Sequence, residues 1–175
     1  MPNWVKNVLI VDRDENTCEK DVDKFLELFS DDFSFEKIAP IPDALKAGIS
    51  PARICEDDEY IEGGKRITKA MSDKYIELYG ANNWYDWCKI GWGCKWDACD
   101  VEIDLSPNDG FYMVGFETPW SPPRSFYEKL EINFPTLKFM SVYADECDNF
   151  EEICNPMDNW EDITLDGQWY INPYN

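Results

Sequence analysis

A segment rich in tryptophan and cysteine, residues 83–100, limits the folds open to this chain more than any other feature. It holds four of the eight tryptophans and three of the seven cysteines. Indole is the largest apolar side chain, and its single N–H needs a hydrogen-bond partner when it is buried. Four indoles so close together must therefore fix the local fold, form a binding surface, or do both.

Hydrophobic periodicity outside this segment predicts a series of strands and helices. The continuous apolar run Val8–Val11 is typical of a strand that is covered on both faces. Later in the chain, apolar and acidic residues alternate, which indicates a strand with one face in water. The main predicted strands lie at 5–11, 101–105, 111–118 and 137–144, with a further short strand at 33–38, and the strands 101–105 and 111–118 are expected to form an antiparallel hairpin. The predicted helices lie at 18–29 and from a cap at Ser125 to before Pro135.

Residues 40–96 read as an insert, because glycines, prolines and an acidic run interrupt this stretch. Within it, Ile67, Met71, Tyr75 and Leu78 share one face of a predicted helix, and Gly80 is placed as its C-cap. Without the insert the order is strand, helix, strand, strand, helix, strand. That order predicts an α+β, ferredoxin-like fold (βαββαβ), with an antiparallel sheet, helices on one face and the first strand in a central position. We expect a single domain over 1–175, with a helical insert over about 40–96 between the first helix and the second strand. An acidic C-terminal extension is expected over about 145–175.

The charge of the chain is strongly unbalanced. Thirty-six acidic residues against sixteen basic ones give a formal charge of −20, and there is no histidine. Such a field repels phosphate backbones, so it disfavours direct binding of nucleic acid. Two interpretations remain open: a solvated surface, or a surface that meets a basic protein partner through complementary charge. For the second, the predicted binding residues are Glu56, Asp57, Asp58, Glu59, Glu102, Asp104, Asp145, Glu146, Asp148, Glu151 and Glu152.

Five short phrases, in order along the chain, resemble one known family. They are Met1–Trp4 with Asn7, Trp84–Trp87, Gly93–Ala98, Phe116–Pro123 and Tyr143–Glu146. The chain is thereby similar to the YubB ferredoxin-like family, whose members are encoded largely by phages and plasmids of bacteria. The resemblance covers residues 1 to about 146 and implies a ferredoxin-like fold. It supplies no catalytic residues. The chain departs from the family after Tyr143–Glu146, where the acidic segment Cys147–Glu152 replaces a glycine-containing continuation.

Charge and resemblance together predict an interaction protein of the host cytoplasm. It would bind and inhibit a basic or nucleic-acid-binding host protein, for example a defence component, by presenting carboxylates where phosphates would bind. No membrane association is expected, because no apolar run is long enough to span a bilayer and the first residues lack a basic segment followed by an apolar one.

An alternative prediction places a small nucleotide-like ligand in a tryptophan-rich pocket, since indole faces stack on bases and lysines hold phosphate. The competing interpretation is that the same rings only pack in the core. The predicted pocket residues are Trp84, Trp87, Trp92, Trp96, Asp97 and Trp120, with Lys89 and Lys95 nearby.

The sequence does not favour an enzyme, a cofactor or a metal site. General acid–base chemistry would have to use a carboxylate, a thiol or a lysine, because histidine is absent. Cys88, Cys94 and Cys99 lack the close CxxC pair of most structural zinc sites, and buried free thiols are the favoured interpretation. Asp86 and Asp97 are the best acid–base candidates, but an aspartate beside tryptophan more often accepts a structural hydrogen bond.

Overall fold

A computed structural model describes residues 2–55, 66–105 and 111–144, together with the backbone of 150–154. Its central sheet is formed by strands that span Trp4–Asp12 (β1), Cys99–Asp104 (β4), Phe111–Pro119 (β5), Lys138–Ala144 (β6) and Phe150–Cys154 (β7). The sheet is antiparallel in the order β4-β5-β1-β6, to which β7 adds a further antiparallel strand beside β6.

The central position predicted for the first strand is confirmed. β1 pairs with β5 along its full length and with β6 from Lys6 to Asp12, so both of its backbone edges are used. Leu9 and Val11 lie fully buried on one face of the sheet, while Ile10 is buried on the other. A strand that is covered on both faces needs apolar residues in succession, which explains the run Val8–Val11.

Three helices contribute to a single hydrophobic cluster on one face of the sheet: α1 (Glu19–Phe29), α4 (Trp84–Gly91) and α5 (Arg124–Asn133). The cluster is mostly aromatic, and neighbouring ring centroids lie 4.4 to 6.4 Å apart. Its members from the helices and from the sheet include Val22, Phe25, Phe29, Cys88, Phe126, Leu130, Leu9, Val11, Val114 and Phe116.

The stretch predicted as a helical insert contains strands as well as helices. α2 (Asp43–Lys46) is followed by two short parallel strands, β2 (Ile54–Cys55) and β3 (Ile67–Thr68), and then by α3 (Lys69–Tyr79). The Thr68 side chain accepts a hydrogen bond from the backbone N–H of Met71, which caps α3. Gly80 ends the helix at φ +77, as predicted for a C-cap glycine.

Two element predictions are wrong. Residues 33–38 contain a 3-10 helix (Phe35–Lys37) and not a strand. The helix predicted with Ile67, Met71, Tyr75 and Leu78 on one face begins later, at Lys69: Ile67 lies in β3, and both Met71 and Leu78 are exposed.

The fold class is mixed helix and strand with an antiparallel sheet. The elements β2, β3 and β7 are additional to the six-element order expected from the sequence. The predicted hairpin of β4 and β5 is present, and its turn at 106–110 lies outside the described residues. None of the described helices combines the length and apolar character that a bilayer crossing requires.

Candidate functional site

The tryptophan-rich segment begins with the capped helix α4. The side-chain carbonyl of Asn83 accepts a hydrogen bond from the backbone N–H of Asp86 at 3.0 Å, and the Asn83 amide donates to the Asp86 carboxylate at 2.6 Å. The Asn83 side chain thereby caps the helix, and the Asp86 carboxylate lies at the positive end of the helix dipole. Asp86 therefore has a structural role at the helix start.

Trp92 is the most deeply buried of the predicted pocket residues. It is 2% exposed, and its indole N–H donates to the carbonyl oxygen of Ala39 at 2.8 Å. The rings of Phe35 and Trp87 meet it edge-on, with centroids at 5.7 and 5.8 Å. Trp92 and Trp87 thus join the end of α4 to the core, while Trp84 is half-buried against Tyr85.

Asp97 ties the segment to the 3-10 helix. Its carboxylate accepts hydrogen bonds from the backbone N–H of Phe35 at 2.6 Å, from the Ser34 hydroxyl and from the backbone N–H of Ala98 at 2.8 Å. Three donors at one carboxylate fix its orientation. The Asp97 carboxylate is therefore engaged in structural hydrogen bonds.

Trp96 and Trp120 lie at the surface, at the end of the sheet where β1 begins and β5 ends. They are 37% and 52% exposed, with ring centroids 5.7 Å apart and planes at 45° to each other. Trp4, at the start of β1, continues the row, with its centroid 6.2 Å from that of Trp96. The structure therefore separates the predicted pocket residues into a buried group around Trp92 and an exposed pair.

Lys95 holds its ammonium over this exposed group. The nitrogen lies 4.5 Å from the ring centroid of Trp96, 5.0 Å from that of Trp120 and 5.6 Å from that of Tyr85. Lys89 lies 5.3 Å from the Tyr85 ring. We call the set Trp4, Tyr85, Lys95, Trp96 and Trp120 the aromatic–lysine surface.

Trp120 occupies a backbone conformation that bulky residues rarely adopt. Its φ is +64, and it is the central residue of a tight turn in which the Ser121 N–H donates to the Pro119 carbonyl at 2.9 Å. The Thr118 hydroxyl donates to the Ser121 carbonyl, and the Ser121 hydroxyl donates to the Gly93 carbonyl, both at 2.9 Å. Such strain persists only where the surrounding structure imposes it, and it is concentrated at functional sites.

The buried side chain of Asn7 is hydrogen-bonded to Thr118, which is itself hydrogen-bonded to this turn. The Asn7 amide donates to the Val5 carbonyl at 2.8 Å and to the Thr118 hydroxyl at 2.9 Å, and the Tyr127 hydroxyl donates to Asn7 at 3.4 Å. Among the described side chains, no buried nitrogen or oxygen lacks a hydrogen-bond partner. The network links β1, β5 and α5 directly beneath the turn of Trp120.

Carboxylates line the opposite face of the sheet at its β4 edge. Glu102 and Asp104 are exposed, whereas Val101 and Ile103 pack against the core. Glu117 of β5 belongs to the same face, because Glu102 pairs with Gly115 and Asp104 with Met113. We call Glu102, Asp104 and Glu117 the acidic strand face. Glu56–Glu59, Asp145, Glu146 and Asp148 lie outside the described residues, as do the side chains of Glu151 and Glu152.

The thiols of the segment are suited to packing and not to nucleophilic chemistry. Burial, with smaller contributions from Glu36 and Asp97, raises the pKa of Cys88 to about 12. Burial also raises the pKa of Cys94 and, less strongly, that of Cys99. Both Cys88 and Cys94 are 1% exposed, so they remain protonated and shielded.

We expect Cys18, which is exposed, to react with iodoacetamide at pH 8 far faster than Cys88 and Cys94 in the folded protein. Mass spectrometry of peptides after timed quenching measures the three rates. Addition of urea should bring the rates together, since unfolding removes the burial that protects the two thiols. Comparable rates for Cys88 and Cys18 without denaturant would contradict the buried position.

A separate cleft of about 490 Å³ lies between α3 and α4 and is lined in part by Ile76, Gly80, Asp86, Lys89 and Ile90. Ile76 and Ile90 are each about half exposed.

Within the described parts of the chain, no three His, Cys, Asp or Glu residues are grouped so that they could hold a metal ion.

No family model, curated protein or solved structure gives a significant match to this chain.

Sequence reasoning missed Trp4, Tyr85 and Glu117. The signal for Trp4 was available: it directly precedes the first predicted strand, Trp120 follows the second strand of the predicted hairpin, and antiparallel pairing of those two strands places the two residues together. Glu117 could have been found from its alternation with Phe116 and Thr118, which are buried.

Proposed function

We propose that this protein is an interaction protein that binds a basic or nucleic-acid-binding protein partner and inhibits it. The observation that carries the proposal is the acidic strand face: Glu102 and Asp104 project into solvent from an edge strand whose other face is packed on the core. A rigid sheet holds these carboxylates in place, so no loop has to be ordered when a partner binds.

The spacing and charge of this face favour a basic partner. Alternate residues of a strand lie about 6.8 Å apart, so the carboxylates form a regular row. A row of fixed anions attracts Lys and Arg side chains, speeds their association and excludes acidic surfaces. A partner that binds here through its nucleic-acid site would be blocked from its nucleic acid.

Charged residues on an edge strand also protect a sheet from pairing with other sheets. If the carboxylates bind a partner, reversing their charge should abolish that binding. If they protect the sheet edge, the same reversal should cause self-association. A test of the proposal must therefore measure both.

For the fold and the family, we propose that β1, β4, β5 and β6 with α1 and α5 form a ferredoxin-like βαββαβ unit. The sheet order β4-β5-β1-β6 and its antiparallel pairings support this. Membership of the YubB ferredoxin-like family, and with it a phage or plasmid origin and a place in the host cytoplasm, is proposed on the five phrases alone.

The test is retention of bacterial lysate proteins at low salt on immobilised protein, comparing the wild type with the double variant Glu102→Lys/Asp104→Lys. We expect the wild type to retain a basic protein that the double variant loses, and added salt to release it. The purified partner should bind its nucleic acid at least tenfold more weakly in the presence of the wild type. The matched control, Asp23→Lys/Glu27→Lys on exposed positions of α1, makes the same charge change away from the acidic strand face.

Retention of the same proteins by both double variants would overturn the proposal, as would a partner whose affinity for nucleic acid is unaltered. Size-exclusion chromatography of the β4 variant shows whether the reversal causes self-association. Association without any loss of a partner would assign the carboxylates to protection of the sheet edge.

A further inference from the structure

We propose that the aromatic–lysine surface binds a small nucleotide-like ligand, a planar heteroaromatic ring that carries a phosphate-type anion. This goes beyond the proposed protein partner, because the site lies where β1 begins and β5 ends and consists of aromatic rings around a lysine. It also differs from the tryptophan pocket expected from sequence. Trp92 is in the core, Trp84 and Trp87 pack against it, and Asp97 is engaged in structural hydrogen bonds. Trp4 and Tyr85 take the place of these residues in the proposed site.

The charge at the surface selects an anion. Among the described residues, Lys95 and Lys89 have no carboxylate partner, and their contacts are with aromatic rings. Lys46 and Lys138, by contrast, each form an ion pair at 2.7 or 2.8 Å. In a chain with a formal charge of −20, two unneutralised ammonium groups beside one ring form a local positive centre. Lys95 would repel a cationic ligand, whereas an anionic ligand gains favourable Coulomb energy from it.

The rings select a planar group. Trp96 and Trp120 expose their indoles at 45° to each other, which leaves aromatic faces open beside the lysine. Every nucleobase has a π-face that stacks on an exposed aromatic side chain. The strained turn gives independent support, since it holds Trp120 exposed at φ +64 although an indole would gain free energy from burial.

The net charge limits the size of the ligand. One nucleotide places a single phosphate near Lys95, whereas each further phosphate of a strand enters the field of a strongly acidic protein. A free nucleotide is therefore favoured over single-stranded nucleic acid.

Isothermal titration of the full chain with AMP, 3′,5′-cyclic AMP, adenosine, inorganic phosphate and a ten-residue oligothymidylate tests the proposal. We expect saturable binding of at least one of the two nucleotides, with adenosine and phosphate each at least tenfold weaker and the oligonucleotide no tighter. Absence of binding by both nucleotides at millimolar concentration overturns the proposal. Equal binding of phosphate alone, or tighter binding of the oligonucleotide, overturns it as well.

Variants then locate the site. Trp120→Ala should weaken nucleotide binding about tenfold or more. Lys95→Gln should weaken it about fivefold and reduce its dependence on salt, whereas Lys95→Arg should retain binding. The matched control is Lys20→Gln, which makes the same charge change on an exposed residue of α1. Urea unfolding of each variant separates loss of binding from loss of fold. Stable Trp120→Ala and Lys95→Gln variants that bind like Lys20→Gln would contradict the assignment.

Discussion

Trp92→Ala is expected to lower the free energy of unfolding by about 3–5 kcal/mol, the usual cost of removing a large aromatic side chain from a core. The indole is 2% exposed and contacts the rings of Phe35 and Trp87, so its removal leaves a cavity between α4 and the 3-10 helix. The total free energy of unfolding of a native protein is only about 5–15 kcal/mol. Urea unfolding followed by circular dichroism measures the loss.

Two further variants separate the contributions of this side chain. Trp92→Phe retains most of the packing but leaves the Ala39 carbonyl without its donor, which should cost about 1–3 kcal/mol. Trp120→Ala makes the same change as Trp92→Ala at a half-exposed position and should stay within about 1 kcal/mol of the wild type. If Trp92→Ala were no more destabilising than Trp120→Ala, the assignment of Trp92 to the core would be wrong.

The tryptophan-rich segment shows how far sequence reasoning reaches. Its position directly before β4 follows from the alternating pattern of residues 101–105. The structural hydrogen bonds of Asp86 and Asp97 agree with the role expected for an aspartate beside tryptophan. The division into a buried group and an exposed pair does not follow from the sequence pattern. The chain changes from helix to irregular structure at Trp92, and Gly93 at φ +92 redirects it. The helical period therefore fails to place Lys95 and Trp96.

The wrong prediction at 33–38 has a similar cause. Phe33 and Phe35 are both buried, and burial of alternate residues is typical of a strand. The backbone nevertheless forms a 3-10 turn, because Asp97, 62 residues further along the chain, accepts the N–H of Phe35. A local pattern carries no information about such a distant acceptor. By contrast, the apolar run Val8–Val11 is self-contained, and its central position in the sheet was predictable.

Helix α3 shows what periodicity leaves open. Its spacing predicted an apolar face, and Met71 and Leu78 of that face are exposed. Periodicity identifies a helix without saying whether the same chain covers it. The main contacts of the helix are with two short strands, β2 and β3, and these cannot cover a full face.

Gly93→Ala is expected to destabilise the protein by about 2–5 kcal/mol, since two separate costs add at one residue. The backbone is at φ +92, where a side chain is strained. An added Cβ would also lie 2.9 Å from the backbone nitrogen of Arg124 and 3.2 Å from that of Ser125. Both atoms belong to the first turn of α5, which cannot move alone because the N–H of Phe126 donates to the Trp92 carbonyl.

Gly80→Ala is the matched control for this substitution. Its φ is +77, but an added Cβ would meet only the end of the Ile90 side chain, at 3.7 Å. It should therefore cost about 1–2 kcal/mol, the strain of the left-handed conformation without the steric clash. The difference between the two variants in urea unfolding measures the clash with α5. Equal losses in the free energy of unfolding would show that α5 moves to make room for the added methyl group.

The Gly93 carbonyl accepts a hydrogen bond from the Ser121 hydroxyl, so a displaced Gly93 should also disturb the turn that presents Trp120. Nucleotide binding should therefore fall together with stability in Gly93→Ala but not in Gly80→Ala.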